Sequence, residues 1–139
     1  DNSLLKILWP TPEQLQQWSN EPNNQSLVIH WQYGQRNFLW TGDLETSAEE
    51  ILLKKTLPST NIIKIAHHGS WTATSLKWLQ AWQPQAAIIS VGLNNKFNLP
   101  TPLTLKRLER LKIKYWRTDQ IRTIHLFSDG QTIWRGLAK

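Results

Sequence analysis

Residues 61–70 read NIIKIAHHGS, an apolar run that stops at two adjacent histidines and a glycine. Three isoleucines and Ala66 make up most of the run, which is typical of a strand buried on both faces of a sheet. His67 and His68 are therefore predicted to lie where this strand leaves the sheet. Polar chemistry collects at such strand ends in α/β folds.

A second stretch, NFLWTGDLE at residues 37–45, has the same form. Its apolar run stops at Thr41 and Gly42 and delivers the carboxylate of Asp43. Two strand ends that carry one carboxylate and two imidazoles predict a metal site, because both groups are zinc ligands. A turn-forming role for Asp43 after Gly42 is the alternative at this point. Glu45 is interpreted as a charge that complements the dipole of the following helix, rather than as a catalytic acid.

The length of 139 residues predicts a single domain over residues 1–139. With 40% hydrophobic and 19% charged residues, the composition excludes a disordered chain. No apolar run approaches the roughly 20 residues that cross a bilayer, and no signal-peptide pattern opens the chain, so we expect a soluble piece. The chain begins at Asp1 rather than Met, which favours a domain cut from a larger protein. The absence of cysteine excludes disulfides and thiolate metal sites.

The net charge of +6 is unevenly distributed along the chain. Residues 1–50 hold two basic and seven acidic side chains, whereas residues 51–139 hold fourteen basic and three acidic ones. This asymmetry indicates a polyanionic partner, and a solvated basic face is the alternative interpretation. The nine tryptophans could stack on bases. Four of them fall in apolar periodic segments and are interpreted as core: Trp31, Trp40, Trp78 and Trp82.

Short strands alternate with short helices along the chain. Hydrophobic patterning predicts strands over 4–9, 26–33, 36–41, 61–66, 86–91, 113–117, 121–127 and 131–135. The second and third of these strands are predicted to form a hairpin with a tight turn at Gly34. Start signals predict helices after Thr11, at Thr46 or Ser47, at Thr74 or Ser75, and after Thr101. At the second of these helices, Glu49 or Glu50 is predicted to complete a capping box. His30 and His125 fall inside predicted strands, so we expect both to be sheet residues rather than ligands.

Four segments together carry a family resemblance: residues 23–45, KIAHHGS at 64–70, IISVGLNNKFNLPTP at 88–102, and YWRTD at 115–119. Their order and spacing resemble the C-terminal half of the metallo-β-lactamase-like domain of the ComEC family of competence DNA-uptake channel proteins. The resemblance implies half of an αββα sandwich, a mixed sheet flanked by about three helices, with a metal site at one edge. It also implies a soluble domain of a bacterial inner-membrane protein, on the extracytoplasmic side, whose partners are single-stranded DNA and the membrane channel portion of the same polypeptide.

The resemblance assigns roles to individual residues. Asp43 matches a carboxylate that bridges two metal ions, and the histidine pair matches a motif that supplies a terminal ligand. His67, the first residue past the strand, is favoured as that ligand, and His68 stays open. These three residues form the predicted metal and catalytic set. Ser70 matches the serine that follows the His-His-Gly motif, and Asn95 matches the asparagine of the family's loop. Both are predicted to bind substrate.

Phosphodiester hydrolysis suits this chemistry, because metal ions generate hydroxide near neutral pH and stabilise the attacking and leaving oxygens. Zn²⁺ is the expected metal, with Mn²⁺ as the alternative. The outer face of a basic helix is predicted to bind DNA phosphates through Lys106, Arg107 and Arg110.

The chain departs from the family pattern in two places. It lacks the His-x-Asp-x-Asp-His motif of the family, so we expect no metal to be held by this chain alone, and the isolated chain is expected to be inactive. Leu99 stands where many relatives have histidine. The alternatives are a catalytically inactive module that binds DNA or docks on the channel, and a hydrolase of another substrate such as a lactone or phosphocholine ester. The absence of the other half of the sandwich would leave one apolar sheet face uncovered, which would favour a homodimer through that face.

Overall fold

The computed structural model describes residues 3–136, which form a mixed α/β fold. The elements in chain order are β1 (Ser3–Trp9), α1 (Pro12–Gln17), β2 (Val28–Tyr33), β3 (Arg36–Trp40), α2 (Thr46–Leu52), β4 (Ile62–Lys64), α3 (Leu76–Trp82), β5 (Ala86–Ile89), α4 (Pro102–Arg110), β6 (Lys114–Arg117), α5 (Thr118–Ile121), β7 (Leu126–Ser128) and β8 (Ile133–Arg135). Short 3₁₀ turns occupy Pro22–Gln25 and Ala66–Gly69. The terminal residues of the predicted domain, 1–2 and 137–139, lie outside the described range.

Six strands form one sheet in chain order, from β1 at one edge to β6 at the other. The first three strands are antiparallel, and β3 to β6 are parallel to one another. Because parallel strands end at the same edge of a sheet, the residues that follow β3, β4 and β5 are brought together there. Within residues 3–136, no helix has the length and apolar character needed to cross a membrane.

One face of the sheet packs against helices and forms the main core. Leu39, Ile63 and Ile89 from successive strands lie on this face and are at most 1% exposed. Trp78 and Trp82 of α3 are fully buried in the same cluster, which confirms their prediction as core residues. Burial of side chains of this size contributes about 1.5–3 kcal/mol each to stability.

The opposite face is apolar and only partly covered. The hairpin of β7 and β8 packs against part of it, over a small cluster that contains Phe38 and Ile62. Beyond the hairpin, Leu5 and Ile7 of β1 are 59% and 61% exposed. Trp40 is 39% exposed, so its prediction as a core residue is wrong: alternation along β3 turns it away from the helices.

One predicted strand is also wrong. Residues 121–127 were expected to form a continuous strand, but Thr118–Ile121 is a short helix and β7 begins only at Leu126. The hydroxyl of Thr118 donates to the carbonyl of Val91 and accepts from its N–H, which ties this segment to the end of β5. Arg122 then takes a positive φ of 61°, which breaks any regular continuation.

Candidate functional site

The turn after β3 is fixed to the end of β4. The hydroxyl of Thr41 donates to the carbonyl of Lys64 at 2.7 Å, and the N–H of His67 donates to the carbonyl of Gly42 at 3.1 Å. Gly42 has φ of 52°, and a Cβ there would lie 2.6 Å from the Cβ of Ser26. Only glycine fits this position, and the bend it allows presents Asp43 at the sheet edge.

The histidine pair follows β4 in a left-handed conformation. His67 and His68 have φ of 47° and 53°, and Gly69 continues with 86°. For residues with a Cβ, such angles cost about 1–3 kcal/mol each and persist only where surrounding contacts impose them. Here those contacts are the bonds from His67 to Gly42 and from His68 to Ser90, together with close packing at Gly69, where a Cβ would lie 2.5 Å from the Cβ of Pro100.

His68 faces Asp43, and its tautomer is fixed by a backbone group. Its Nδ1 lies 2.6 Å from the carbonyl oxygen of Ser90, which can only accept, so Nδ1 is the donor. In the neutral imidazole the lone pair is then on Nε2, which lies 4.0 Å from Asp43 Oδ1. A histidine oriented by a carbonyl in this way is the arrangement found at metal-ligating histidines.

His67 faces Glu45 rather than joining the first pair. Its Nδ1 lies 3.2 Å from Glu45 Oε1, close enough for an ion pair. The angles are not those of a hydrogen bond, so this buried nitrogen has no hydrogen-bond partner. The sequence favoured His67 as the ligand, whereas the structure puts His68 beside Asp43.

Glu45 has a second role that the sequence did not show. Its Oε1 accepts from the hydroxyl of Thr72 at 2.8 Å, and the hydroxyl of Ser70 lies 2.9 Å from that same Thr72 oxygen. Because the Thr72 proton is directed to Glu45, Ser70 donates to Thr72. Ser70 is also only 7% exposed, so the predicted substrate-binding serine is committed to an internal chain of hydrogen bonds.

Glu45, and not Thr46 or Ser47, occupies the N-cap position of α2. The predicted capping box does not form, because Glu49 turns inward and becomes fully buried. Its carboxylate accepts from the N–H groups of Thr74 and Ser75, at 2.6 and 3.0 Å. Burial raises the pKa of Glu49, and the Ser75 and Thr74 hydrogen bonds and the charge of Arg107 oppose that rise.

Lys64 lies under the turn that carries Asp43. Its Nζ donates to the carbonyls of Gly42 and Ile65, both at 3.3 Å. Burial lowers the pKa of Lys64, and the nearby Asp43 carboxylate opposes this shift. The ammonium group therefore supports the backbone of both strand ends at once.

The basic helix α4 begins against the histidine turn. Thr101 donates its N–H to the carbonyl of Gly69 at 2.9 Å, and Thr104 donates its hydroxyl to the carbonyl of Ser70 at 3.1 Å. Lys106 and Arg110 are exposed, as predicted. Arg107 was expected to point outward as well, but it is partly buried and donates to the carbonyls of Ala73 and Thr74 at 2.8 and 3.1 Å.

Asn95 holds its own loop together. Its amide donates to the carbonyls of Gly92 and Leu99, and its oxygen accepts from the N–H of Leu99 at 3.0 Å. These bonds use both the donor and acceptor groups of the side chain. In this conformation Asn95 shapes the loop that packs on Gly69.

The donor chemistry at the sheet edge fits a metal ion, because a carbonyl-oriented imidazole nitrogen faces a carboxylate. The number of donors is short of a complete site: among residues 3–136, no group of three or more His, Asp or Glu side chains is placed to hold a metal. Asp43 and His68 would hold one side of a metal ion. A structural zinc site needs four ligands and a catalytic one three.

Sequence reasoning missed two residues at this site. Glu45 was assigned to the helix dipole and Glu49 to a capping box, because each fits a local rule for the start of a helix. The one signal that pointed beyond the helix was the density of acidic residues, three of them at 45, 49 and 50.

Fold and site together define an α/β domain with a histidine and carboxylate cluster at the carboxyl ends of parallel strands. Three relatives match this region: ComE operon protein 3 of Bacillus subtilis, 38% identical over 104 residues; Recombination protein 2 of Haemophilus influenzae, 34% identical over 120 residues; and Competence protein ComA of Neisseria gonorrhoeae, 35% identical over 101 residues.

The matches cover 73%, 84% and 71% of this chain, respectively, but only 13%, 15% and 15% of those relatives. The chain is therefore homologous to a short segment of each relative, one of which is named a competence protein. No protein-family profile matches the chain.

Proposed function

We propose that this chain is part of a metallo-β-lactamase-like domain in a competence DNA-uptake channel protein, and that the intact domain hydrolyses phosphodiester bonds of single-stranded DNA. The similarity to Competence protein ComA and to the other two relatives supports a role in competence DNA uptake. The observation that carries the chemistry is His68, whose Nε2 lone pair is directed to the Asp43 side of the site by the bond from Nδ1 to Ser90.

Within this proposal, Asp43 and His68 would hold one side of a Zn²⁺ or Mn²⁺ ion, and that ion would supply an activated water near neutral pH. The remaining ligands come from outside the described residues. Glu45 and His67 position the neighbouring loop, because Glu45 connects α2 to Thr72. The carbonyl of Ser90 keeps the proton of His68 on Nδ1 and away from the ligating nitrogen.

The phosphate backbone of the substrate is bound by α4. Lys106 and Arg110 are exposed on a helix whose first turn is bonded to Gly69 and Ser70, so their charges are held at a fixed distance from the histidine turn. Arg107 contributes indirectly, since its guanidinium fixes the loop at residues 71–74.

A second candidate is a catalytically inactive module that binds DNA or docks on the channel. The contacts of Glu45 favour it. Its Oε1 accepts from Thr72 and, at 3.4 Å, from Asn23, so the second histidine and carboxylate pair belongs to an internal network. Only Asp43 and His68 would then be available as metal ligands, which are too few for catalysis.

Oligonucleotide binding and cleavage together separate these candidates. We expect this chain to bind a single-stranded oligonucleotide, with the logarithm of the binding constant falling linearly as the logarithm of the salt concentration rises. Lys106→Ala or Arg110→Ala should each reduce the magnitude of this slope by about 0.7. Lys77→Ala is the matched control, because Lys77 is an exposed lysine on α3. Binding that is insensitive to salt would refute the role of α4.

For the catalytic arm, Asp43→Ala in the intact protein should abolish metal-dependent cleavage of single-stranded DNA while leaving salt-dependent binding in place. Unchanged cleavage in that variant would refute the catalytic assignment. Binding without cleavage in the intact wild-type protein, at any Zn²⁺ or Mn²⁺ concentration, would support the inactive module instead.

A further inference from the structure

Two aromatic side chains beside the histidine turn are more exposed than rings of their size usually are. Trp71 is 64% exposed and Phe97 is 68% exposed, whereas Trp9, Trp78 and Trp82 are fully buried. A large exposed ring forfeits most of the stabilisation that its burial would give, so rings exposed beside a candidate site point to a binding role.

Both rings lie on segments that adjoin the end of the histidine turn. Trp71 directly follows Ser70, whose carbonyl accepts from Thr104. Phe97 lies between Gly92 and Pro100, in the loop that packs on Gly69. Both loops therefore begin or pack beside Gly69, next to the turn that carries His67 and His68.

Each loop is held rigid without help from its ring. The loop of Phe97 is closed by the three hydrogen bonds of Asn95. The loop of Trp71 is fixed by Arg107, whose guanidinium donates to the carbonyls of Ala73 and Thr74, with a longer contact of 3.4 Å to the carbonyl of Trp71. A ring on a fixed loop loses little conformational entropy when a flat ligand stacks on it.

Positive charge accompanies both rings. The ammonium of Lys96 lies 5.2 Å from the centre of the Phe97 ring, and Arg107, which fixes the Trp71 loop through its carbonyls, adds a positive charge near that loop. Residues 51–108 contain seven basic side chains and no acidic one. The acidic neighbours, Asp43 and Glu45, each face a histidine. A flat ring with a cation beside it matches a nucleotide, which offers a base to stack and a phosphate to pair.

We propose that Trp71 and Phe97 are base-stacking residues that bind single-stranded nucleic acid beside the histidine turn. Unpaired bases are needed, because both faces of a base inside a duplex are already stacked. This inference rests on the proposed function, and it adds the residues that distinguish single strands from duplexes at that site.

The test measures the affinity of this chain for a fluorescently labelled single-stranded oligonucleotide by anisotropy. We expect Trp71→Ala and Phe97→Ala each to weaken binding about 5- to 150-fold, the range found when a stacking ring is removed. Trp71→Tyr should restore most of the affinity, whereas Trp71→Leu should not, because leucine keeps apolar bulk but has no π face.

Two matched controls are available in the same chain. Leu93 is 74% exposed in the Phe97 loop but is aliphatic, and Trp134 is an aromatic ring, 49% exposed, on β8. Leu93→Ala and Trp134→Ala should leave the affinity unchanged. An equal loss in either control would overturn the assignment, since exposed apolar area in general would then explain binding.

An abasic oligonucleotide of the same length separates this inference from the proposed function. It keeps the phosphates but has no bases, so Trp71→Ala should not change its affinity. If wild-type chain binds the normal oligonucleotide and Trp71→Ala and Phe97→Ala bind it equally well, the stacking inference is wrong while the proposed function stands. If the wild-type chain binds neither probe, DNA binding by this chain is itself refuted, and the stacking role with it.

Discussion

His68 Nε2 lies 4.0 Å from Asp43 Oδ1, although the two residues follow different strands. The parallel pairing of β3 and β4, with Phe38 opposite Ile62, brings the two strand ends to one edge. Left-handed backbone at residues 67 and 68 then turns the second imidazole toward the carboxylate. The proximity of His68 and Asp43 therefore depends on both the sheet register and the strained turn.

Removal of either member of this pair should weaken metal binding by the intact protein. We expect Asp43→Ala and His68→Ala to lower Zn²⁺ affinity by more than the roughly 10- to 100-fold that the loss of an outer-shell partner costs. Calorimetric titration with Zn²⁺ measures this. His125→Ala is the control, because His125 is exposed beside β7 and shows only a backbone bond to Gly136. Equal Zn²⁺ affinity in all three variants would show that Asp43 and His68 are not metal ligands.

The turn at Gly69 should not tolerate a methyl group. Gly69→Ala places a Cβ 2.5 Å from Pro100 at φ of 86°, so we expect a loss of about 1–3 kcal/mol in the free energy of unfolding. Gly92→Ala is the matched control, since a Cβ there meets nothing within 4 Å. Urea unfolding compares the two variants, and similar losses in both would contradict the proposed packing.

The buried carboxyl of Glu49 should make stability depend on pH. In the unfolded chain it ionises near its ordinary value of 4.5, whereas burial raises its pKa in the folded protein. The folded state then binds more protons than the unfolded state between these two pKa values. The free energy of unfolding contributed by this group therefore falls as the pH rises through that window.

Glu49→Gln should remove this slope. It should also lower stability by about 1–3 kcal/mol, because an amide group replaces one of the two oxygens that face the N–H groups of Thr74 and Ser75. Urea unfolding from pH 4 to 8 measures both effects. Glu50→Gln, at an exposed neighbour on α2, should leave the slope in place. A slope that survives in Glu49→Gln belongs to another group.

The uncovered sheet face should cause this chain to self-associate. Leu5 and Ile7 are more than half exposed on β1, next to the partly covered aromatic side chains of β2 and β3. We propose a homodimer through this face, and Ile7→Lys should shift the sedimentation coefficient toward that of a monomer. Leu15→Lys, on the exposed side of α1, is the control. A wild-type chain that stays monomeric at high concentration would refute this dimer.

Local patterns were sufficient for most of the fold. The hairpin at Gly34 and the caps at Thr11 and Ser75 follow from short-range rules, and the structure confirms them. The two apolar runs that end at Asp43 and at the histidines were also recognisable from their residue types. Both runs form strands that stop before those residues, as predicted.

The roles of Glu45, Glu49 and Arg107 were not predictable, because their partners are far away in the sequence. Each side chain is of a type that is usually exposed at its helix position. In the structure, each forms a hydrogen bond with a polar group in the loop at residues 71–75. A buried N–H or carbonyl without a hydrogen bond costs about 1–3 kcal/mol, which outweighs a helix-dipole interaction of about 0.3–1 kcal/mol.

Residue types and periodicity alone predict that NIIKIAHHGS ends a buried strand and places two histidines at a sheet edge, because both properties are local. Which imidazole faces which carboxylate is set by tertiary packing. That choice depends on left-handed dihedral angles at His67 and His68 and on the carbonyl of Ser90. These features arise from packing between separate loops, and no local pattern encodes them.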